Sequence, residues 1–324
     1  MSNHRILCAA ALLLWAARPS MGGDMFFHNG HTDWKIYLSP QAEPPEVFAA
    51  EELRVALQKI SGADFQVLAS AQVPERQAIV IGDLRNPEVQ AQSGVLKLRA
   101  GPAEEVAVYT LGGRLYLAGN QPRGALYAVY RFLQHELGVR WLWPGPDGEF
   151  MPAKNNWSLP DLQFNHKAAF AYRGFHLCGD WRDVDLFREW MGRNFINVYR
   201  HAAPPAEKRR GFYSMWSSHN VVLPAALFDE HPEYFAEIGG RRYQTNICFS
   251  HPEVDKIVAA GMAAYVRKRP FLDILSVFPS DNQDYCQCAQ CAKVGVSTAW
   301  FEFYNRLTDT LKKEFPALKF ATIA

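Results

Sequence analysis

Charge imbalance, long apolar runs and cysteine are all scarce in this sequence. Over 324 residues, 34 Lys and Arg meet 33 Asp and Glu, a formal balance of +1 at pH 7. No strong field draws such a chain to nucleic acid or anionic lipid, so nucleic acid is not an expected partner and any ligand is neutral or recognised locally. Beyond the first two dozen residues no stretch is apolar for long enough to be a membrane helix. There is no internal repeat and no low-complexity tract. Six cysteines are too few for a disulfide-built scaffold of this size. What remains is a globular chain, 48% apolar and long enough for two domains or one large barrel.

The N-terminus reads MSNHRILCAAALLLWAARPSMGGD: one Arg, an apolar run from Ile6 to Ala17, then small residues up to Gly23. That layout is a secretory signal peptide over residues 1–23, too short to span a bilayer. Cys8 lies too early for a lipoprotein cleavage site. The mature chain is therefore expected to be periplasmic or secreted, with no membrane insertion after cleavage. It keeps Cys178, Cys248, Cys286, Cys288 and Cys291, and an odd number in an oxidising compartment leaves at least one unpaired.

From Trp34 onward, strand-like and helix-like patterns alternate. WKIYLS, DFQVLA and AIVIGD read as strands. PPEVFAAEELRVALQKISG reads as a helix with Pro at its start, Leu53, Leu57 and Ile60 on one face, and Gly62 as its stop. EEVAVYTLGGRLYLAGN is a hairpin turning at Gly112 and Gly113, and PRGALYAVYRFLQHELG a second helix. These make an α+β accessory domain over residues 24–165. PAKNNWSLPDLQFNHKA has turn formers and little periodicity, which makes it a linker with the boundary near residue 165.

Residues 166–324 change rhythm. FAYRGFHL, FINVYRHA, GFYSMWSSH, LDILSVFPSD and LKFATIA read as strands, with helices at DVDLFREWMGRN, HPEVDKIVAAGMAAYVRKR and STAWFEFYNRLTDTLKKEF and a hairpin at EYFAEIGGRRYQTNICF. Repeated β/α units predict a parallel sheet, and a barrel is the common way to close one. The fold class expected is α/β: a sheet-plus-helices domain followed by the first half of a TIM-type (β/α)8 barrel. About five strands do not close an eight-stranded barrel, so the chain as given is expected to be inactive or only able to bind.

The blocks AAEELRVALQKISGADFQV, IVIGD, LYLAGNQPRGALYAVYRFLQHELGVRWLWPG and FMP resemble the N-terminal domain of bacterial α-glucuronidases, and the same unit is similar to the accessory domain preceding the barrel in β-hexosaminidases. YRGFH, HPEYFAEIGGRR, ICFSHPEV and PSDNQDYCQCAQC resemble an uncharacterised family of exported bacterial proteins that joins this domain to a glycosidase-like barrel. The resemblance implies a glycan as partner, an oligo- or polysaccharide bearing a uronic acid or an N-acetylhexosamine, bound at the carboxyl ends of the barrel strands.

That rule selects Arg173, His176 and Asp180 after the first strand, Arg200 and His201 after the second, His219 after the third, and Asp281, Asn282 and Asp284 after the fourth. Arg173 matches the sugar-holding Arg of the hexosaminidases, since a planar fork can donate to two vicinal hydroxyls; its other reading is an Arg that braces the barrel mouth through a carboxylate. Glycosidases generally need two carboxylates. Asp281 is the first candidate, to orient substrate or act as base, and Asp284 is a candidate acid. The resemblance calls for Asp-Glu where this chain has Asp281-Asn282, and an amide has no proton to give at neutral pH. The same SDNQD stretch also suits a turn or helix cap. His176 and His219 can bind sugar hydroxyls, and Trp181 and Trp216 can stack on a pyranose ring from loops on the same face, or pack in the core. His231 and His251, each before Pro, read as turn residues.

CQCAQC places three thiols within six residues, and Cys248 can supply a fourth. A structural zinc or disulfides are both open, a catalytic thiol less so, and no other cofactor is expected. Either cross-link would hold the loop after Asp281 in place.

Overall fold

The computed structural model describes residues 23–174, 184–200, 205–218, 221 and 223–323. Residues 1–22 of the expected leader, and His176, Cys178, Asp180, Trp181, His201 and His219, lie outside the described residues. Among those described, no helix is long and apolar enough to cross a membrane.

The first unit is built on a six-stranded mixed sheet. Its strands are β1 (Lys35–Leu38), β2 (Val67–Ala69), β3 (Ala78–Gly82), β4 (Glu105–Leu111), β5 (Arg114–Gly119) and β6 (Gln163–Lys167), in the spatial order β6-β4-β5-β3-β1-β2. Helix α1 (Pro44–Ser61) starts with prolines in the first turn, where their missing N–H costs nothing, and buries Leu53, Leu57 and Ile60. Gly62 ends it at φ 74°, its N–H returning to the Gln58 carbonyl. Helix α2 (Pro122–His135) packs beside α1, burying Leu126, Val129 and Leu133. It can approach β5 only because Gly119 meets Gly124: a Cβ on Gly119 would lie 2.4 Å from the Gly124 carbonyl carbon.

The segment expected to be a linker is structured. Asn156–Ser158 pairs antiparallel with Met25–His28, and β6 adds antiparallel to β4 as the sheet's outermost strand. Four of the five β6 residues, Gln163, Asn165, His166 and Lys167, are exposed and polar, the composition of an edge strand, which lacks the apolar alternation of an interior one. The sheet of the first unit therefore includes residues up to Lys167.

The second unit carries a sheet of four parallel strands, β7 (Val198–Arg200), β8 (Tyr213–Ser218), β11 (Ile274–Val277) and β12 (Lys319–Ala321), adjacent in that order. Between β8 and β11 come the hairpin β9 (Phe235–Ile238) and β10 (Arg241–Ile247) and helix α4 (Pro252–Arg267), which His251 caps by accepting the Glu253 N–H. Between β11 and β12 come α5 (Ala289–Val294) and α6 (Val296–Glu314), and α3 (Val184–Arg193) precedes β7. Leu275 and Val277 of β11 are fully buried in one apolar cluster with Val254 and Val258 of α4 and Phe303 and Leu307 of α6. Ile274 and Ser276, on the alternate positions, turn to the other face.

The segment expected to be the first strand of this sheet begins differently: residues 169–174 form no strand, and the Arg173 carbonyl accepts the N–H groups of Asn197 and Val198. Charged side chains tie the two units together. Glu104, with 5% of its side chain exposed, accepts from Arg123 at 2.6 Å and from Arg173 at 2.7 Å, and Arg123 also donates to the Gly211 carbonyl. Arg193 of α3 pairs with Glu52 of α1 at 2.8 Å.

Candidate functional site

The loop leaving β11 runs from the buried Ser280 into four exposed residues, Asp281 to Asp284. It is pinned at three points. Tyr285 Oη donates to the Ser280 carbonyl at 2.6 Å. Asn282 Oδ1 accepts from the Asp284 backbone N–H at 3.1 Å and from Asn246 Nδ2 at 2.8 Å. The same Asn246 amide donates to the Asp284 carbonyl at 2.8 Å, and Asn246 itself is buried at the end of β10. Asn282 thus acts as the loop's brace, the turn role that Asn chemistry suits, and Asp281 and Asp284 stand on the exposed rim beyond an interior parallel strand. Asn246 was missed by the sequence reading, since nothing in β10 marks one amide as a partner for a loop 36 residues on.

Arg173 is not on that rim. Its carbonyl is level with Val198, Val198 pairs with Tyr213, and the rim begins past Ser218, which pairs with Val277. Five strand residues separate the two levels, about 16 Å at the rise of a strand. The guanidinium is also committed: Nε donates to the Phe195 carbonyl, one terminal nitrogen to the Phe170 carbonyl and the other to Glu104, each at 2.7 Å. Arg173 braces the seam between the units through a carboxylate, one of the two readings its sequence context left open, at the opposite end of the sheet from Asp281.

Trp216 corrects an expectation as well. It lies within β8 instead of on a loop, and its ring packs at 4.6 Å from that of Tyr265 of α4, against the helix-side core. Strand alternation is the cause: Trp216 points to the face opposite Met215.

Met215 borders what the sequence reading did not foresee, an open cavity of about 410 Å³ on the face of the parallel sheet away from α4 and α6. Tyr172, Val198, Ile274, Ser276, Phe278 and Phe320 are among its walls. Its signal was present in ILSVF, where Ile274, Ser276 and Phe278 fall on one face by period two.

Beside the loop lies a cluster of four thiols. Cys248 follows β10, Cys286 and Cys288 follow the rim, and Cys291 is in α5. Their sulfurs all lie within 4.8 Å of one another, and all four cysteines are free. Cys248, Cys286 and Cys291 are buried and Cys288 is half-buried. Hydrogen bonds from Cys286 and Cys291 draw the Cys248 thiol far below the ordinary range, and sharing with Cys248 pushes Cys286 and Cys291 up. Burial opposes ionisation of Cys288, but the Cys291 backbone and the Ser250 hydroxyl outweigh it and lower its value. Arg242 points a guanidinium nitrogen at Cys286 Sγ, 3.7 Å away, and the Glu237 N–H donates to the same sulfur at 3.4 Å.

Solved structures of similar fold are glycoside hydrolases. A family GH115 4-O-methyl-α-glucuronidase with specificity for decorated arabinogalactans aligns over 91% of this chain and 42% of its own, at 14% identity and a TM-score of 0.55. CpGH84D aligns over 92% of this chain and 47% of its own, at 12% identity and 0.54. An inactive mutant of the GH20 exo-β-N-acetylglucosaminidase from Vibrio harveyi aligns over 92% and 52%, at 11% identity and 0.50. This chain spans about half the length of these structures, and the likeness is one of fold. No curated protein matches its sequence. The family model described as Domain of unknown function (DUF4838) matches residues 143–324, more than half of the sequence, and the chain belongs to that family.

Proposed function

We propose that this protein is an exported, glycoside hydrolase-like protein whose α+β accessory domain precedes the first part of a β/α barrel, and that it acts on or binds a glycan containing a uronic acid or an N-acetylhexosamine. The observation that carries the reading is the position of Asp281, on a braced loop just past the carboxyl end of an interior parallel strand, where ligands of parallel α/β sheets bind. The similarity of fold to an α-glucuronidase and to an exo-β-N-acetylglucosaminidase supports the substrate class. The cavity walls Tyr172 and Phe278 offer apolar surface for a pyranose ring. In this reading Asp281 orients the sugar or serves as base, and Asp284 is the candidate acid of the described residues.

The test is hydrolysis of aryl α-glucuronides and aryl β-N-acetylhexosaminides, alongside binding to a glycan array, by the wild type and Asp281→Asn. Turnover or binding that falls at least tenfold in the variant supports the assignment. Activity or binding that is indifferent to Asp281 removes it.

A second reading, a non-catalytic carbohydrate-binding protein, is favoured by Asn282. Its side-chain oxygen is occupied by the Asn246 amide and the Asp284 N–H, so the position that resembles a catalytic Glu serves loop structure instead. Glycan binding with no turnover of any aryl glycoside is the outcome that reading expects.

A further inference from the structure

We propose that Cys248, Cys286, Cys288 and Cys291 form a closed tetrathiolate zinc site that fastens the β9–β10 hairpin to the rim loop carrying Asp281. The argument begins with distance. Four thiolates each about 2.3 Å from a tetrahedral zinc stand about 3.8 Å apart. Cys248 Sγ is 3.8 Å from Cys288 Sγ and 4.0 Å from Cys291 Sγ, and the whole set fits within 4.8 Å. A disulfide needs about 2.05 Å. The sulfurs are spaced to surround an ion, with no pair drawn together at the expense of the other two.

The donor set selects the ion. Four sulfurs and no oxygen ligand exclude calcium and magnesium and suit zinc, and four protein ligands leave no open position for a substrate or water, which makes the site structural. Zn²⁺ held by four thiolates leaves a local charge of −2. The surroundings are arranged for that charge: the Arg242 guanidinium and the Glu237 N–H face Cys286, and Ser250 Oγ lies 3.2 to 3.6 Å from the sulfurs of Cys248, Cys288 and Cys291. Cys288 is also the residue that begins α5, so the ion would fix the start of that helix.

The position gives the site its consequence. Asn246, which holds Asn282 and Asp284, is two residues before Cys248, and Cys286 is two residues after Asp284. An ion gripping Cys248 and Cys286 therefore clamps both ends of the contact that shapes the rim. This holds whether the rim turns over a glycan or only binds one.

The experiment is elemental analysis of the full chain, purified without added metal, together with intact mass under non-reducing conditions. One zinc per chain is expected, released stoichiometrically to a colorimetric indicator by an organomercurial. The variants Cys288→Ser, at the half-buried position, and Cys291→Ser should each lose most of the bound zinc. Should those variants fail to fold, cobalt exchange into the wild type decides: the intense visible absorption of a tetrahedral cobalt tetrathiolate supports the proposal. Two disulfides among the four, bound iron in place of zinc, or four thiols titrating freely with no metal would each overturn it.

Discussion

The two sheets of this molecule are finished in different ways. The six-stranded sheet is covered on both faces. One side packs on α1 and α2 through Leu53, Leu57, Leu126 and Leu133, and the other buries Val80, Tyr109 and Tyr116 against Val89 and Leu96. The four-stranded sheet is covered by α4 and α6 on one side, and its other side opens on the 410 Å³ cavity. A sheet sealed on both faces can contribute stability but offers no place for a ligand. The proposed glycan site lies on the open face of the second sheet, with the acidic rim at its carboxyl end.

Removing the metal should break this comparison most severely. Structural zinc sites contribute about 10–16 kcal/mol of apparent binding free energy, and the first unit has no part in this one. Chelation after mild thiol modification is expected to separate thermal unfolding into two transitions, with the second unit melting first and the first unit little changed. A single transition that shifts as a whole would show that the units share one cooperative core.

Next in size is the seam. Glu104 is the common partner of Arg123 and Arg173, and Glu104→Ala would leave two largely buried guanidinium groups without their carboxylate. Breaking a buried pair in this way costs about 3–5 kcal/mol. Arg173 is one-fifth exposed, so the lower part of that range is expected, read as a fall in the midpoint of urea unfolding. Glycan binding at the rim should survive in the fraction that remains folded, because Arg173 lies at the far end of the sheet. Binding lost from folded Glu104→Ala protein would return Arg173 to the site.

The two faces of β8 allow a smaller and sharper comparison. Trp216 points to the helices and Met215 to the cavity, one residue apart. Trp216→Ala should cost about 2 kcal/mol, less than a fully buried Trp because its ring is only partly enclosed. Met215→Ala should cost less than about 1 kcal/mol while enlarging the cavity. Its effect belongs in ligand affinity. Equal losses from the two would mean that the cavity is a packed core.

Local features were legible in the sequence. The prolines that open α1 and α2, the glycine that stops α1, the Gly112-Gly113 hairpin and the buried run that becomes β11 each depend on neighbours within a few residues. The four thiols were also legible, because three fall in six residues. Features that escaped depend on partners distant in the chain or on an absence of pattern. Arg173 was placed on the rim because it was counted as following the first strand, whereas its partner Glu104 is 69 residues earlier and its level in the sheet is set by hydrogen bonds to Asn197 and Val198. Strand β6 was read as linker because an edge strand has no need of apolar alternation. Trp216 was assigned to a loop although counting by twos along YSMWSS already sets it opposite Met215.

The smallest expected effect falls on Asn282, and it separates the catalytic reading from the binding one. Asn282→Asp keeps an oxygen for the Asn246 amide and the Asp284 N–H, so stability should change by no more than about 0.5 kcal/mol. Asn282→Leu leaves the buried Asn246 amide with only the Asp284 carbonyl and should cost about 1 kcal/mol. Asn282→Glu completes the Asp-Glu pair of the hexosaminidase resemblance, but its longer stem moves the carboxylate away from the Asn246 amide, so the brace weakens as the acid is introduced. If the amide is what disables the site, Asn282→Glu should gain measurable hydrolysis of an aryl glycoside that Asn282→Leu does not. If the position serves only to hold the loop, Asn282→Glu should resemble Asn282→Leu, with weaker glycan binding and no turnover. The occupied side-chain oxygen of Asn282 favours the second outcome, and a rate above background for Asn282→Glu alone would reverse that judgement.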